Sequence, residues 1–421
     1  MTFLEELSIA SPPKKLRLFF RWLRDKPDEL FDELREKKPL LLLPGPGALP
    51  VAVVSRWRDV TDVLRRHDEL TVAQNISSMD QSVGPFMLAR DSSIENWHDR
   101  AAMQIVLPID PLEQDKLRSK AHDVVTSALR GRTGQIDLVQ TVAREVPFRI
   151  VKDYYGFSGA SEVKLNRWSR ATQHDMFHNP FGIQTPLRRL NIEAGRELRQ
   201  WIRGKIDLIR RNDSVAPGDT ILEKLVHGRY ANLFDDDERI VSNVAGLLVG
   251  TIETTAQAIV QAVREILIRP DTLDLVREHI EQQNWDGIEG AVNEALRFNP
   301  VGPVLFRTCD RAVALGEGTG YRQMLPPRAT VIAALASAMY DAEIFPSPKS
   351  FDPSRNRAHY LHFGHGHHKC LGAHIGLTIT AAAVAAILSK SDLTLIGKDG
   401  FESVIKGKPF PEEFIVTIDC K

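Results

Sequence analysis

Apolar residues recur at three- and four-residue spacing along most of this chain, which predicts a molecule built mainly of helices. That periodicity marks helices over 13–37, with Pro27 breaking or restarting the first, and over 59–67, 114–130, 136–156, 160–178 and 191–212. A short helix is expected over 219–225. A longer one opens at the acidic run Asp235 to Arg239, which supplies its cap, and continues to about Ile268. Strand signals cluster in three places, 40–55, 302–334 and 392–419. In the first, Leu40–Leu43 and Val51–Ser55 flank the turn Pro44-Gly45-Pro46-Gly47. Thr71–Arg90 is polar, irregular and punctuated by Gly and Pro, and a loop of that length in a compact domain is usually functional or disordered. The pattern gives an α+β fold, mainly α with small β-sheets. No linker composition interrupts it, so one domain is expected over 1–421, with an N-terminal helical segment over 1–38 and a core over 39–421.

Composition narrows the function. The 421 residues are 43% hydrophobic and 26% charged, ordinary for a globular protein, and a formal net charge of −1 argues against a nucleic-acid binder. Three widely separated cysteines, Cys309, Cys370 and Cys420, suggest a reducing compartment and no disulfide framework. No apolar run approaches the ~18–20 residues that span a bilayer, and the start has no signal-peptide core. A soluble, cytoplasmic monomer without a membrane anchor is the expectation.

One stretch changes the picture from class to chemistry. Phe363-Gly364-His365-Gly366-His367-His368-Lys369-Cys370-Leu371-Gly372 sets a lone cysteine among glycines, just before an alanine-rich helical run over about 373–388. Glycines let backbone turn sharply and approach a flat object closely. A helix start favours a thiolate. A thiolate with no second cysteine nearby does not build a tetrahedral structural zinc site, but it can be the single protein ligand of heme iron. A second stretch, Gly250-Thr251-Ile252-Glu253-Thr254-Thr255, puts poor helix formers at the centre of the long helix, a local conflict of the kind that marks function. Locally, Thr254 has the option of bonding back to a helix carbonyl, and Glu253 that of capping an exposed face. A third, Glu294-Ala295-Leu296-Arg297, places opposite charges one turn apart ahead of Phe298-Asn299-Pro300. Alone it is an ordinary surface pair.

Together these stretches resemble the cytochromes P450, the heme-thiolate monooxygenases. The spacing F-G-x-G-x-H-x-C-x-G fits Phe363 to Gly372 at every fixed position, and the likeness runs from about residue 40 to the C-terminus. The resemblance implies the helix-rich P450 fold and heme b, with Cys370 as the metal ligand and Phe363, Gly364 and Gly372 in the ligand loop. It implies that Gly250 lies in an oxygen groove, that Thr254 holds a water and that Glu253 relays protons as a general acid. Thr251 departs from the family, standing where Gly is usual. Glu294, Arg297 and Arg355 are implied to be a buried, fully paired cluster that holds the Cys370 loop.

The propionate partners implied are His368, Arg307 and a pair from the helix after Asp91, His98 and Arg100, alongside Trp97. Asp110-Pro111 to Arg118 is a second, looser match to the same pattern, and Arg307 has Asp310 three residues on as an alternative partner. The helices over 160–178 and 191–212, separated by the loop 178–182, are implied to form a lid that opens for substrate. The pocket is expected to draw on 71–90, 176–185, 244–255, 301–305 and 408–414. The expected reaction is O2- and electron-dependent hydroxylation of an apolar small molecule, terpenoid, steroid or fatty-acid-like. No flavin, dinucleotide or iron–sulfur pattern is present, so electrons are expected from a ferredoxin and its NAD(P)H-dependent reductase, with Lys369, Arg355 and Arg357 available to an acidic partner. Two other readings stand beside this one: a peroxide-using heme-thiolate enzyme, against which the Glu253–Thr254 pair weighs, and a non-enzymatic heme-binding sensor.

Overall fold

The computed structural model describes residues 1–418 except 108–109, 180, 182–184, 212–217, 228–229, 391–392 and 396–410. In chain order the helices are α1 (Phe3–Ile9), α2 (Pro12–Asp25), α3 (Pro27–Lys37), α4 (Trp57–Arg65), α5 (Ala73–Gln81), α6 (Ile94–Val106), α7 (Pro111–Leu129), α8 (Glu145–Ile150), α9 (Glu162–His178), α10 (Pro186–Arg211), α11 (Ile221–Val226), α12 (Asp237–Leu267), α13 (Pro270–Glu281), α14 (Trp285–Phe298), α15 (Leu335–Ala338) and α16 (Ala373–Leu388). The strands are β1 (Leu40–Pro44), β2 (Pro50–Val54), β3 (Leu70–Thr71), β4 (Gly134–Asp137), β5 (Leu305–Cys309), β6 (Val313–Leu315), β7 (Gln323–Leu325), β8 (Thr330–Ala333), β9 (Leu393–Leu395) and β10 (Ile415–Ile418). No helix among the described residues is long and apolar enough to cross a membrane.

Two compact units divide these elements. The first takes the described residues of 1–74 and 293–370. Its sheet has the order β1-β2-β8-β5-β3. β1 and β2 form the expected hairpin, Leu40 opposite Val54 and Leu43 opposite Val51. β8 joins β2 in parallel, and β5 runs antiparallel to β8. Val60, Val63 and Leu64 on one face of α4 pack with Ala52, Val54, Val331 and Ala333 of the sheet. Burial of each such aliphatic side chain contributes ~1.5–3 kcal/mol, which fixes α4 as the platform under the segment that leads to Cys370. Leu361, fully buried in the same cluster, anchors the start of that segment.

The second unit takes the described residues of 75–292, 371–402 and 410–421. Its axis is α12, whose residues are buried on nearly every face, polar Asn243, Glu253, Gln257 and Gln261 included. α9, α10 and α16 pack along it. α16 is buried from Thr378 to Leu388, and its alanines permit close approach to α7. β10 pairs with both β4 and β9 in a small antiparallel sheet.

Three expectations need correction. Residues 71–90 are not irregular throughout: Thr71 closes β3 and Ala73–Gln81 is helical, because burial of Ser78 and Met79 overrides a weak local signal. The stretch 136–156 opens with strand β4, held by β10 across the chain, and then winds as two wide π-type turns, Val139–Ala143 and Val151–Tyr155, around α8. Pro147 has no N–H to give to the carbonyl four residues back, which breaks an ordinary helix there. The strand cluster expected over 302–334 begins at Leu305. Parts of the proposed lid loop (180 and 182), of the turn at 212–220 and of the 408–414 turn lie outside the described residues.

Candidate functional site

The Cys370 segment is a closed loop within the first unit. Cys370 N–H donates to Phe363 O at 2.9 Å, Lys369 N–H to Gly366 O at 3.1 Å and Gly364 N–H to Leu361 O at 2.7 Å. Gly364 and Gly366 have φ of +74° and +71°, in the left-handed region that favours glycine. At Gly366 there is a second requirement, since a Cβ would stand 2.5 Å from Leu64 O of α4. The loop thus sits against α4 at Gly366 and ends in Cys370, an exposed cysteine outside any disulfide, although cysteine of that kind is among the most buried residue types. Gly372 follows as the N-cap of α16.

Phe363 is half-buried beside His362, their rings 4.7 Å apart. Burial pushes the His362 imidazole down to about 3. It is therefore neutral, with Nε2 3.1 Å from Asn293 Oδ1. His368 packs edge-on to His367 at 4.9 Å. Arg307, on β5, is 4% exposed and donates from Nη1 to Phe306 O at 2.7 Å.

The frame behind this loop is an ionic cluster in which one acid meets two arginines and the remaining arginine donors go to backbone carbonyls. Glu294 and Arg297 are both fully buried and form a two-pronged pair, 2.7 and 2.9 Å. Arg355 Nε donates to Glu294 Oε1 at 3.1 Å, as does the Asp352 N–H at 3.0 Å. Tyr360 O–H donates to Glu294 Oε2 at 2.8 Å, and burial together with the Glu294 charge raises its phenol far above the ordinary range. Arg297 also donates to the carbonyls of Met339 and Ser350 and lies over the rings of Phe298, Tyr340 and Phe345 at 4.4, 5.0 and 5.4 Å. Tyr360 and the aromatic cage were not found from sequence. A tyrosine five residues after Arg355 gave no pattern to follow.

In the second unit, α12 carries Gly250, Glu253 and Thr254. Its glycines differ in kind. A Cβ at Gly246 would meet the Phe86 ring at 2.3 Å, so that glycine serves packing. A Cβ at Gly250, in an exposed spot of an otherwise buried helix, would meet no atom within 4 Å. Thr254 Oγ1 donates to Gly250 O, the back-bond allowed by the residue type. Thr251 is turned aside: its hydroxyl donates to Leu247 O at 2.7 Å and lies 3.2 Å from Tyr155 Oη.

Glu253 does not cap an exposed face. It is 1% exposed, with Oε1 3.8 Å from Arg144 Nε and no hydrogen bond to that oxygen. Burial is the largest influence on it and raises its carboxyl above the usual range, against the pull of Arg170 and Arg144. Arg144, Arg170 and Glu412 around it were missed, since they come from three distant stretches of sequence.

The α6 residues are placed as follows. His98 Nδ1 lies 2.9 Å from Arg239 Nη2, and its ring meets Phe234 edge-on at 5.9 Å. The buried neighbour Asp99 accepts from Arg239 and from Asn243. Trp97 is exposed and donates to Ser92 Oγ at 2.8 Å, and Arg100 is half-buried. The first unit thus brings Phe363, Gly364, His368, Cys370 and Arg307 into one fold region, and the second holds Gly250, Glu253 and Thr254 on one helix with His98 and Arg100 on another.

The residues present suit a heme. Among the described residues they offer one exposed thiol, on a glycine-shaped loop, and no group of three or more His, Cys, Asp or Glu placed to hold a metal ion. Comparison with known proteins agrees. The family described as Cytochrome P450 matches residues 163–410. Erythromycin C-12 hydroxylase of Saccharopolyspora erythraea is 27% identical over 89% of this chain and 90% of its own. C-19 steroid 1alpha-hydroxylase of Sorangium cellulosum is 26% identical over 63% of each. The chain spans from 60% to 90% of the length of such curated relatives. Among solved structures, Mycobacterium smegmatis CYP164A2 with econazole bound superposes with a TM-score of 0.77 at 22% identity, covering 97% of this chain and 100% of that one.

Proposed function

The chain belongs to the cytochrome P450 family of heme b monooxygenases, and we propose that it hydroxylates a bulky apolar small molecule using O2 and electrons delivered by a ferredoxin and its NAD(P)H-dependent reductase. Bound heme supplies activation of O2 and transfer of one oxygen atom to a C–H bond. The chain's own groups do the rest. Cys370 would hold the heme iron as its thiolate ligand. The closed Phe363–Cys370 loop keeps that sulfur at a fixed height above α4. Arg307 and His368 are the propionate partners in the first unit. His98 and Arg100 fill that role less readily, with His98 already held by Arg239.

Proton delivery falls to α12. Thr254 gives its own proton to Gly250 O, so its oxygen lone pairs are left to accept a hydrogen bond and fix a water. Glu253, buried and biased toward its neutral form, is a proton donor. This intact acid–hydroxyl pair is the observation that carries the O2-dependent reading over the peroxide-dependent one. The side chain of Thr251, bonded toward Tyr155, leaves the Gly250 surface bare. Relatives named Erythromycin C-12 hydroxylase and C-19 steroid 1alpha-hydroxylase support an apolar small-molecule substrate, terpenoid, steroid or fatty-acid-like.

The reduced protein with CO is expected to show the absorption band of thiolate-ligated heme, and Cys370→Ala to lose it. Product formation is expected to need NAD(P)H, ferredoxin and reductase. Thr254→Ala should consume NAD(P)H with about 10- to 100-fold less of it reaching product, in line with the loss of positioned proton transfer. Full turnover on peroxide alone, or full coupling in Thr254→Ala, would overturn the reading.

A further inference from the structure

Glu253 sits in a group of four charges drawn from four segments of the second unit: α12, the turn before α8, α9 and the strand entry at Pro411–Glu412. The hydrogen bonds in this group are unequally shared. Arg170 donates through both Nη atoms to Glu412, and Arg144 Nη2 donates to Glu412 Oε2 at 3.4 Å and Pro411 O at 3.3 Å. Glu253 receives none of these at Oε1 and has only the 3.8 Å approach of Arg144 Nε. Glu412 is itself fixed: Gln140 holds its carbonyl at 3.0 Å, and the next residues dock on β4 through Phe414 N–H to Asp137 at 3.0 Å.

We propose that Glu412 is a positioning residue for Glu253, engaging both guanidinium groups so that the buried Glu253 carboxyl keeps its proton. The inference rests on the reading of Glu253 as proton donor and adds what sets its state. The physical reason is competition. Two cations beside one buried carboxyl would stabilise its anion, but Arg170 directs both Nη atoms to Glu412 and Arg144 directs Nη2 to Glu412 and Pro411 O, with Nε left 3.8 Å from Glu253 and hydrogen-bonded to neither acid, and the negative charge of Glu412 also opposes a second anion nearby. All three neighbours act on Glu253 in those senses, Arg170 and Arg144 lowering and Glu412 raising its carboxyl. The same partners hold Glu412 below the usual carboxylate range. His174, next to Arg170 on α9, is pushed down by burial and then by Arg170, so it adds no competing cation. Glu412 is 39% exposed at its side chain and Glu253 1%, so the group joins a buried acid to a solvent-facing one.

The test is infrared spectroscopy of the holoenzyme with 13C-labelled glutamate. The wild type at neutral pH is expected to show a protonated-carboxyl C=O band that Glu253→Gln abolishes. Glu412→Gln should lose that band at neutral pH and regain it only in more acidic buffer, while Glu412→Asp, which keeps the charge, should retain it. The share of NAD(P)H electrons reaching product should fall in Glu412→Gln and be restored in Glu412→Asp. A wild type without the band, or Glu412→Gln with the band and its pH midpoint unchanged, would overturn the proposal. Failure of the proton-donor reading has a separate mark, unchanged coupling in Glu253→Gln.

Discussion

Two buried ionic clusters, one in each compact unit, are built from the same residue types and solve the burial problem differently. At Glu294, Arg297 and Arg355, both oxygens of the acid and all the prongs named above find partners, and three aromatic rings close over Arg297. At Glu253, Arg144, Arg170 and Glu412, one acid takes the hydrogen bonds and the other is left with a distant cation. A buried charge is tolerated when it is fully paired. A buried acid that is not paired stays neutral instead. The first cluster therefore has one stable arrangement and serves as a brace. The second leaves Glu253 with its carboxyl raised by burial, which is the state that the proposed proton donor requires.

The largest difference between them should appear on breaking the brace. Arg297→Ala takes the two-pronged partner from the fully buried Glu294 and leaves it Arg355, Tyr360 and the Asp352 N–H; removing one partner of such a buried pair costs ~3–5 kcal/mol. The expected outcome is loss of heme retention and a steep fall in thermal midpoint, read by the visible spectrum and by calorimetry. A variant that held heme and melted like the wild type would remove the distinction between the clusters. Tyr360→Phe is milder: it deletes one donor to a charged acceptor at 2.8 Å, worth ~1.5–3 kcal/mol. Its melting point should fall while coupling of NAD(P)H use to product stays as in the wild type, since a brace does not touch the proton route.

The brace was legible in the sequence and the second cluster was not, for a physical reason. Glu294 and Arg297 lie one helical turn apart, so spacing places the two side chains together, while their burial with Arg355 was implied only by the family resemblance. The Phe363–Gly372 loop was legible in the same way, because turn chemistry is local: glycines stand where φ is positive. Arg144, Arg170 and Glu412 meet Glu253 only through the packing of α9, the π-type turn and the β10 entry on α12, contacts without a sequence period. β4 and α5 escaped for a related reason. Both are short, and both are held by partners far along the chain, Asp137 by Ile415 and Ser78 by Asp175.

Arg144→Met sharpens the comparison from the other side. Arg144 is buried like Arg297, yet its loss strands no fixed anion, because Glu253 can remain neutral and Glu412 keeps Arg170. The Met stem fills similar space, and the hydrogen bonds lost are two long ones, so ~1–2 kcal/mol is expected. Chemical denaturation of the two variants side by side is the measurement. If Arg144→Met cost as much as Arg297→Ala, Glu253 would have to be an anion that Arg144 neutralises.

The smallest effect is a dependence on pH. Burial raises the Glu253 carboxyl above its ordinary value, so folding favours the protonated form. Below about pH 4, the ordinary glutamate range, the acid is protonated in both folded and unfolded chains and contributes no slope. As pH rises from there, the unfolded chain releases this proton and the folded one keeps it. The unfolded state is then favoured progressively until pH passes the raised folded value. Glu253→Gln removes the group from the balance. Its thermal midpoint relative to the wild type should therefore climb between about pH 4 and neutrality and level off where folded Glu253 itself ionises. Glu412 works in the opposite sense. Its lowered carboxyl contributes stability that is lost as pH falls through its folded value, and as a partly exposed group it is discounted by solvent screening. Comparing the Glu253→Gln and Glu412→Gln profiles separates the two acids: a rising difference for the first and a falling one for the second. Two flat profiles would mean that both carboxyls titrate as in water, and the second cluster would then be a surface ion pair that happens to lie near α12.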